Sequence, residues 1–144
     1  MENASTVWSP SYVTSVNLIE SVQRKFTKRL PGYMQHDYAT RLTKLDLQSL
    51  ELRRLHLDLI LGHKMQFKRV DLDVSDFFVL SSDDHYTRGH KYKLVGRQCR
   101  VNMHQHFFAE RIVNVWNALN AQANDFETLK SFKMCLYKND FSEF

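Results

Sequence analysis

Apolar residues near the start of the chain recur every three or four positions, the spacing of one face of an α-helix. This apolar set comprises Tyr12, Val16, Ile19, Val22, Phe26 and Leu30, and it lies opposite Arg24, Lys25 and Lys28. Ser9 is a suitable capping residue, and Pro10 suits the first helical turn. Pro31-Gly32 ends the pattern. The segment therefore predicts an amphipathic helix with its apolar arc, including Phe26, assigned to packing.

Two more helices are predicted before residue 70. Asp37 can cap a short helix that continues to Leu45, and Ser49 can cap a longer one that continues to about Phe67. The longer segment is apolar on two sides, and one of these sides includes His56 and His63. A helix of this kind is usually buried between neighbours, so we expect it to be the central element, with both histidines in the core or at its boundary.

The helical period fades between residues 70 and 86, where five acids and no base occur. We predict an acidic loop here, with one short turn that docks Phe77 and Phe78. Residues 91–95 and 98–102 flank Gly96-Arg97, a pattern that predicts a β-hairpin.

Helical spacing returns in the last part of the chain, where two apolar arcs occur. They comprise Phe108, Ile112, Val115, Trp116 and Leu119, then Leu129, Phe132 and Leu136. Asp125 is a possible cap for the second of these helices. The pattern as a whole predicts a mainly α fold, a small bundle of about five helices with a short inserted β-hairpin. We divide it into a helical region at 1–69, the acidic loop at 70–86 and the hairpin with C-terminal helices at 87–144, with the first and last parts in one compact unit.

The composition is that of an ordinary globular protein, since 43% of the 144 residues are hydrophobic and 25% are charged. The length suits one domain. Two cysteines are too few for a disulfide framework, and no apolar run approaches the length of a membrane span. We therefore expect an intracellular protein, cytoplasmic or nuclear, with no membrane partner.

Charge is distributed unevenly, although the net charge is only +4. Residues 1–69 carry a net +5, residues 70–86 carry −5, and residues 87–111 carry +5 again. Lys and Arg neutralise phosphates and aromatic rings stack on unpaired bases, so nucleic acid is a candidate partner. A solvated helix face and a charge-guarded strand edge would have the same composition. The two basic groups are Arg24, Lys25, Lys28 and Arg29, then Arg88, Lys91, Lys93, Arg97 and Arg100, interleaved with Tyr86 and Tyr92.

Residues with catalytic or metal-binding chemistry are few. Asp83-Asp84 lies in a polar loop, whereas two-metal phosphoryl transfer needs carboxylates held rigidly, usually on strands. Histidines and a cysteine cluster between residues 85 and 106 without the paired spacing of structural zinc sites; they are His85, His90, Cys99, His104 and His106. The sequence has no phosphate-binding glycine loop and no nucleophile elbow. We predict no catalytic residue, no metal and no cofactor.

Several segments resemble, in order along the chain, the C-terminal end of the reverse-transcriptase polyprotein of jockey-like non-LTR retrotransposons. They are VQRKFTKRLPG at 22–32, SLELRRL at 49–55, TRGH at 87–90 and FFAERIVNVWNAL at 107–119. The resemblance implies descent from an element that encodes an RNA-directed DNA polymerase. In that family the palm with its metal-binding Asp pair lies upstream, and nothing in this chain matches the palm motif. We therefore expect that the chain is not an enzyme and does not polymerise DNA.

The resemblance also implies partners. A helical region that follows the thumb would contact template RNA, an RNA–DNA hybrid or a DNA duplex, and would pack on the upstream polymerase domains. The candidate phosphate contacts are Arg24, Lys25, Lys28, Arg29, Arg53, Arg54, Arg88 and Lys91. The alternative is a structural or protein-interaction segment that packs on the thumb and palm and has no activity of its own.

Overall fold

A computed structural model describes residues 6, 10, 12–81, 90–96 and 107–141. These residues contain five α-helices and one two-stranded antiparallel sheet, which confirms the predicted mainly α fold with a short β element. The helices are α1 (Val13–Lys28), α2 (Tyr38–Lys44), α3 (Leu50–Gln66), α4 (Phe108–Ala118) and α5 (Leu129–Lys138). The strands are β1 (Val79–Leu80) and β2 (Leu94–Val95).

The chain divides into two compact units, and the boundary falls between Leu55 and His56, inside α3. The three segments predicted from composition, 1–69, 70–86 and 87–144, do not coincide with these units. Composition changes after residue 69, whereas the packing neighbours change within a continuous helix, where no turn residue or charge block marks the change.

In the first unit, α1 begins later than the capping pattern predicts. Its first residue is Val13, and its N-cap is Tyr12, whose side chain makes no capping hydrogen bond. Ser9 lies outside the described residues. The predicted end is confirmed, since α1 stops at Lys28 and Gly32 adopts a φ of +82°, a left-handed conformation that favours glycine.

The predicted caps of α2 and α3 are confirmed. The Asp37 side chain accepts a hydrogen bond from the Thr40 amide, and the Ser49 hydroxyl accepts one from the Leu52 amide at 3.2 Å. Each bond satisfies an amide that has no partner within its own helix.

In the second unit, the segment predicted as a loop contains a short 3-10 turn, Val74–Asp76, and then β1. The turn docks Phe78, which is buried against Phe108 with ring centroids 5.8 Å apart. The docked turn was predicted, but β1 was not. β2 pairs with β1 in the register Val79 to Val95, so the described partner of β2 lies before it in the chain. The predicted partner, 98–102, lies outside the described residues.

The core of the second unit is an aromatic cluster around Phe126. That ring is fully buried, with Trp116 at 5.6 Å and Phe132 at 5.4 Å between centroids. The predicted apolar arcs of α4 and α5 face this cluster, and their buried members are Ile112, Val115, Trp116, Leu119, Phe132 and Leu136. Packing of Trp116 and Phe132 is therefore confirmed.

The cap predicted for the last helix is wrong. α5 is capped by Thr128, whose hydroxyl accepts a hydrogen bond from the Ser131 amide at 3.0 Å. Asp125 lies in a separate 3-10 turn, Ala123–Phe126, where its carboxylate accepts from the Gln122 amide at 2.8 Å. The extra turn places Asp125 three residues too early to cap α5.

Candidate functional site

The side of α1 that faces inward is polar. Glu20 is only 7% exposed, and it accepts hydrogen bonds from the Tyr38 hydroxyl and from the Leu50 amide, the latter at 3.0 Å. Glu20 therefore satisfies the first amide of α3, which has no partner within its own helix. Burial, together with the neighbouring Glu20 carboxylate, raises the pKa of Tyr38, so the phenol keeps its proton and donates.

Two arginines hold α2 against α1 around the Tyr38 ring. The guanidinium carbon of Arg24 lies 4.9 Å from the ring centroid, and that of Arg41 lies 5.5 Å from it. Arg41 is buried, and its Nε donates to the hydroxyl of Thr27 at 3.2 Å. These contacts fix the rotation of α1 about its axis, because each one needs a particular side of the helix.

The prediction that the apolar face of α1 is buried is wrong. Phe26 is 62% exposed, and Tyr12 and Val22 are exposed as well. The buried residues of α1 are Glu20 and Thr27, because their hydrogen bonds turn the polar side inward. The rest of the predicted arc, Val16, Ile19 and Leu30, is half-buried.

The same rotation places a cationic surface outward. Arg24, Lys25, Lys28 and Arg29 are all exposed. At 100° per residue they span an arc of about 140° on one side of the helix. Glu20 is the sole acid of α1 and is buried, so the outer surface of α1 is positive with no carboxylate of its own helix to neutralise it. We call these four residues the α1 cationic face.

The other predicted phosphate contacts belong to other segments of the chain. Arg53 is half-buried on α3. Arg54 is buried, and its Nε donates to the Leu50 carbonyl at 3.2 Å, so its guanidinium is held within the fold and not presented to solvent. Lys91 belongs to the second unit and is exposed, with its ammonium 5.2 Å from the Tyr92 ring. Arg88 lies outside the described residues.

The histidines of the second unit, where the structure describes them, are core residues. His63 is fully buried, stacks on Phe132 at 4.4 Å and shares a hydrogen bond with the Phe126 carbonyl at 2.9 Å. His90 is buried and shares one with the Trp116 carbonyl at 2.8 Å. Burial lowers the pKa of both. The predicted core position of His56 is also confirmed.

Among the described residues, no three His, Cys, Asp or Glu side chains are grouped so that they could hold a metal ion. His85, Cys99, His104 and His106 lie outside them, as does Asp83-Asp84. Cys135 is a buried thiol, and burial raises its pKa.

A second basic surface was not among the predicted site residues. It lies on the outer side of α5 and comprises Lys130, Lys133, Met134, Tyr137 and Lys138, all of them exposed. We call it the α5 outer face. The helical spacing of Phe132 and Leu136 indicates this face, because it places these two residues on the inner side of α5 and the lysines on the opposite side. The net charge of residues 112–144 is −1 and does not indicate this face, because the acids that offset its lysines lie outside α5.

No helix within the described part of the chain is both long enough and apolar enough to cross a membrane. Comparisons with protein-family models, with curated proteins and with solved structures found no match to this chain.

Proposed function

We propose that this chain belongs to the C-terminal region of a jockey-like retrotransposon RNA-directed DNA polymerase, and that it contacts the phosphates of template RNA or of a primer–template duplex. One observation carries the proposal. The α1 cationic face is exposed and contiguous, and the one acid of α1 is turned inward. Unopposed Lys and Arg side chains on a single helix face attract phosphates whatever the base sequence.

In this proposal the chain binds nucleic acid but does not polymerise it, because no palm motif occurs in its sequence. The protein would act inside the cell, in the cytoplasm or the nucleus, where the polymerase meets its template. A primer-extension assay of the purified chain tests the catalytic part, and extension of the primer would contradict it.

Binding is tested by fluorescence anisotropy with labelled single-stranded RNA and with duplex, between about 50 and 200 mM salt. In the variant that carries Arg24→Ala, Lys25→Ala, Lys28→Ala and Arg29→Ala, we expect weaker binding to every sequence. The log–log salt slope should fall by about 0.7 to 0.9 for each phosphate that the variant no longer neutralises.

A charge-matched pair separates local contact from net charge. Lys25→Ala with Lys28→Ala removes two charges from the α1 cationic face, and Lys44→Ala with Lys64→Ala removes two elsewhere on the chain. Lys25 and Lys28 also stabilise the C-terminal end of α1 through its dipole, so folding is checked by circular dichroism. Equal binding by the two folded double variants would overturn the proposal.

A second function, from a different class, is favoured by the apolar side of α1. Leu18, Val22 and Phe26 follow one another at i, i+4 and i+8, and Leu18 is 71% exposed. Exposed apolar residues in a row favour packing on another polypeptide, here the upstream thumb and palm of the parent polymerase. Leu18→Ser with Phe26→Ser should abolish binding to a purified thumb–palm segment and leave binding to RNA unchanged.

A further inference from the structure

The α5 outer face combines positive charge with an exposed ring. Its five residues occupy about 140° of the helix at 100° per residue. α5 itself contains no acid, and the nearest acids along the chain, Glu127 and Asp140, lie beyond its two ends. The face is therefore complementary to a polyanion.

The helix that carries this face is firmly held. Its inner side buries Phe132, Cys135 and Leu136. Thr128 caps its start, and Asn139 closes its end by donating to the Cys135 carbonyl at 2.9 Å and accepting from the Asn120 amide at 2.9 Å. Side chains on the outer side therefore project from a fixed backbone.

Tyr137 is the distinctive residue of the face. Its side chain is 70% exposed, yet its ring meets the buried His56 ring at 5.5 Å with an interplanar angle of 80°. The contact restrains the ring on one side and leaves most of it open to solvent. A restrained, solvent-facing ring among lysines is a suitable platform for an unpaired base, because stacking needs an accessible π-face and tolerates any base.

We propose that the α5 outer face binds single-stranded nucleic acid, with an unpaired base stacked on Tyr137 and the flanking phosphates neutralised by Lys130, Lys133 and Lys138. The proposal rests on the proposed function only in that the chain binds nucleic acid. It uses different residues and adds a preference for unpaired strands, since paired bases present no free face to the ring.

A protein partner fits this face less well. Met134 and Tyr137 are its only large apolar side chains, and a stable protein interface buries about 800 Å² on each partner. Three lysines around one ring match the alternation of phosphate and base along a single strand more closely than they match an apolar patch.

The test compares variants of the full chain by anisotropy with labelled U12, dT12 and a 12-base-pair duplex. Tyr137→Ala should weaken binding of the single strands about 5- to 150-fold and leave duplex binding within about twofold. Tyr137→Phe keeps the ring and should bind as the parent chain does. Lys130→Ala with Lys133→Ala should reduce the single-strand salt slope by about 1.4, or about 0.7 for each phosphate no longer neutralised.

Tyr12→Ala removes a tyrosine of similar exposure, 77% against 70% for Tyr137, that belongs to neither basic face, and it is the matched control with no expected effect. The U12 and dT12 arms distinguish an RNA ligand from a DNA ligand. Equal single-strand affinity of Tyr137→Ala and the parent chain would overturn this proposal. If Tyr137→Ala binds as the parent chain does while the α1 variants bind more weakly, the proposed function is supported and the α5 proposal fails. If the Tyr137 effect appears while the α1 variants bind normally, the α5 outer face stands and the α1 assignment fails.

Discussion

Helix α1 in the first unit and helix α4 in the second unit are anchored in different ways. α1 is held by hydrogen bonds that Glu20 and Thr27 accept on its buried side, while its exposed side carries Phe26. In the second unit, α4 buries Ile112 and Trp116 in an aromatic core. The buried side of α1 is thus polar, whereas the buried side of α4 is apolar.

This difference shows why hydrophobic spacing locates the core of one unit and not of the other. Burial of apolar surface is non-directional, so an apolar arc at helical spacing turns toward whatever core is available. Hydrogen bonds are directional, and a buried carboxylate must keep its donors. In α1 the donors and acceptors on one side decide the rotation, and the apolar arc is left partly exposed.

The largest effect is expected from Phe126→Ala in the second unit. Phe126 is fully buried among aromatic rings, so its removal leaves a cavity and should lower the free energy of unfolding by about 3–5 kcal/mol. Urea unfolding followed by Trp116 fluorescence, in a Trp8→Phe background, measures the change. Met134→Ala, at 55% exposure, should change it by less than about 0.5 kcal/mol. If Phe126→Ala lowers the free energy of unfolding by no more than Met134→Ala does, the aromatic cluster is not the core of the second unit.

A smaller effect is expected from Glu20→Ala in the first unit. The substitution leaves the buried Leu50 amide and the Tyr38 hydroxyl without their acceptor, at a cost of about 1–3 kcal/mol. Hydrogen exchange of the Leu50 amide should accelerate. Tyr38→Phe removes only one of the two bonds and should cost less, with Leu50 still protected. Unchanged exchange at Leu50 in Glu20→Ala would contradict a polar anchor for α1.

The smallest expected effect is the change in stability of the second unit for each unit of pH. Burial lowers the pKa of His63 and His90 below 6.5, so below that pH the unfolded chain binds more protons than the folded chain. With both histidines neutral, above about pH 6.5, the free energy of unfolding does not depend on their titration. As the pH falls below 6.5, the free energy of unfolding declines by up to about 1.4 kcal/mol per pH unit for each histidine. Urea midpoints between pH 7.5 and 5 test this. His63→Leu should show a shallower decline, and an identical slope would exclude His63 as a contributor.

Most of the helical architecture was predictable, because it depends on local chemistry. The caps Asp37 and Ser49 act within one turn, and the apolar arc of α4 is buried against an aromatic core. The described partner of β2 was not predictable, since β1 is only two residues long and lies in an acidic segment without a strand pattern. The four cations of the α1 cationic face are close together in the sequence and can be recognised there. The α5 outer face is harder to recognise, because acids outside α5 cancel its lysines in the net charge of residues 112–144.

The sequence by itself determined where helices form, which residues cap α2 and α3, and that four cations gather on the polar side of α1. These features follow from periodicity and from side-chain-to-backbone bonds a few residues apart. The tertiary structure alone decided that Glu20 is buried, that Phe26 is exposed and that Arg54 is enclosed. The burial of Glu20 depends on partners distant in the chain, Tyr38 and Leu50, and no local pattern records a distant hydrogen bond.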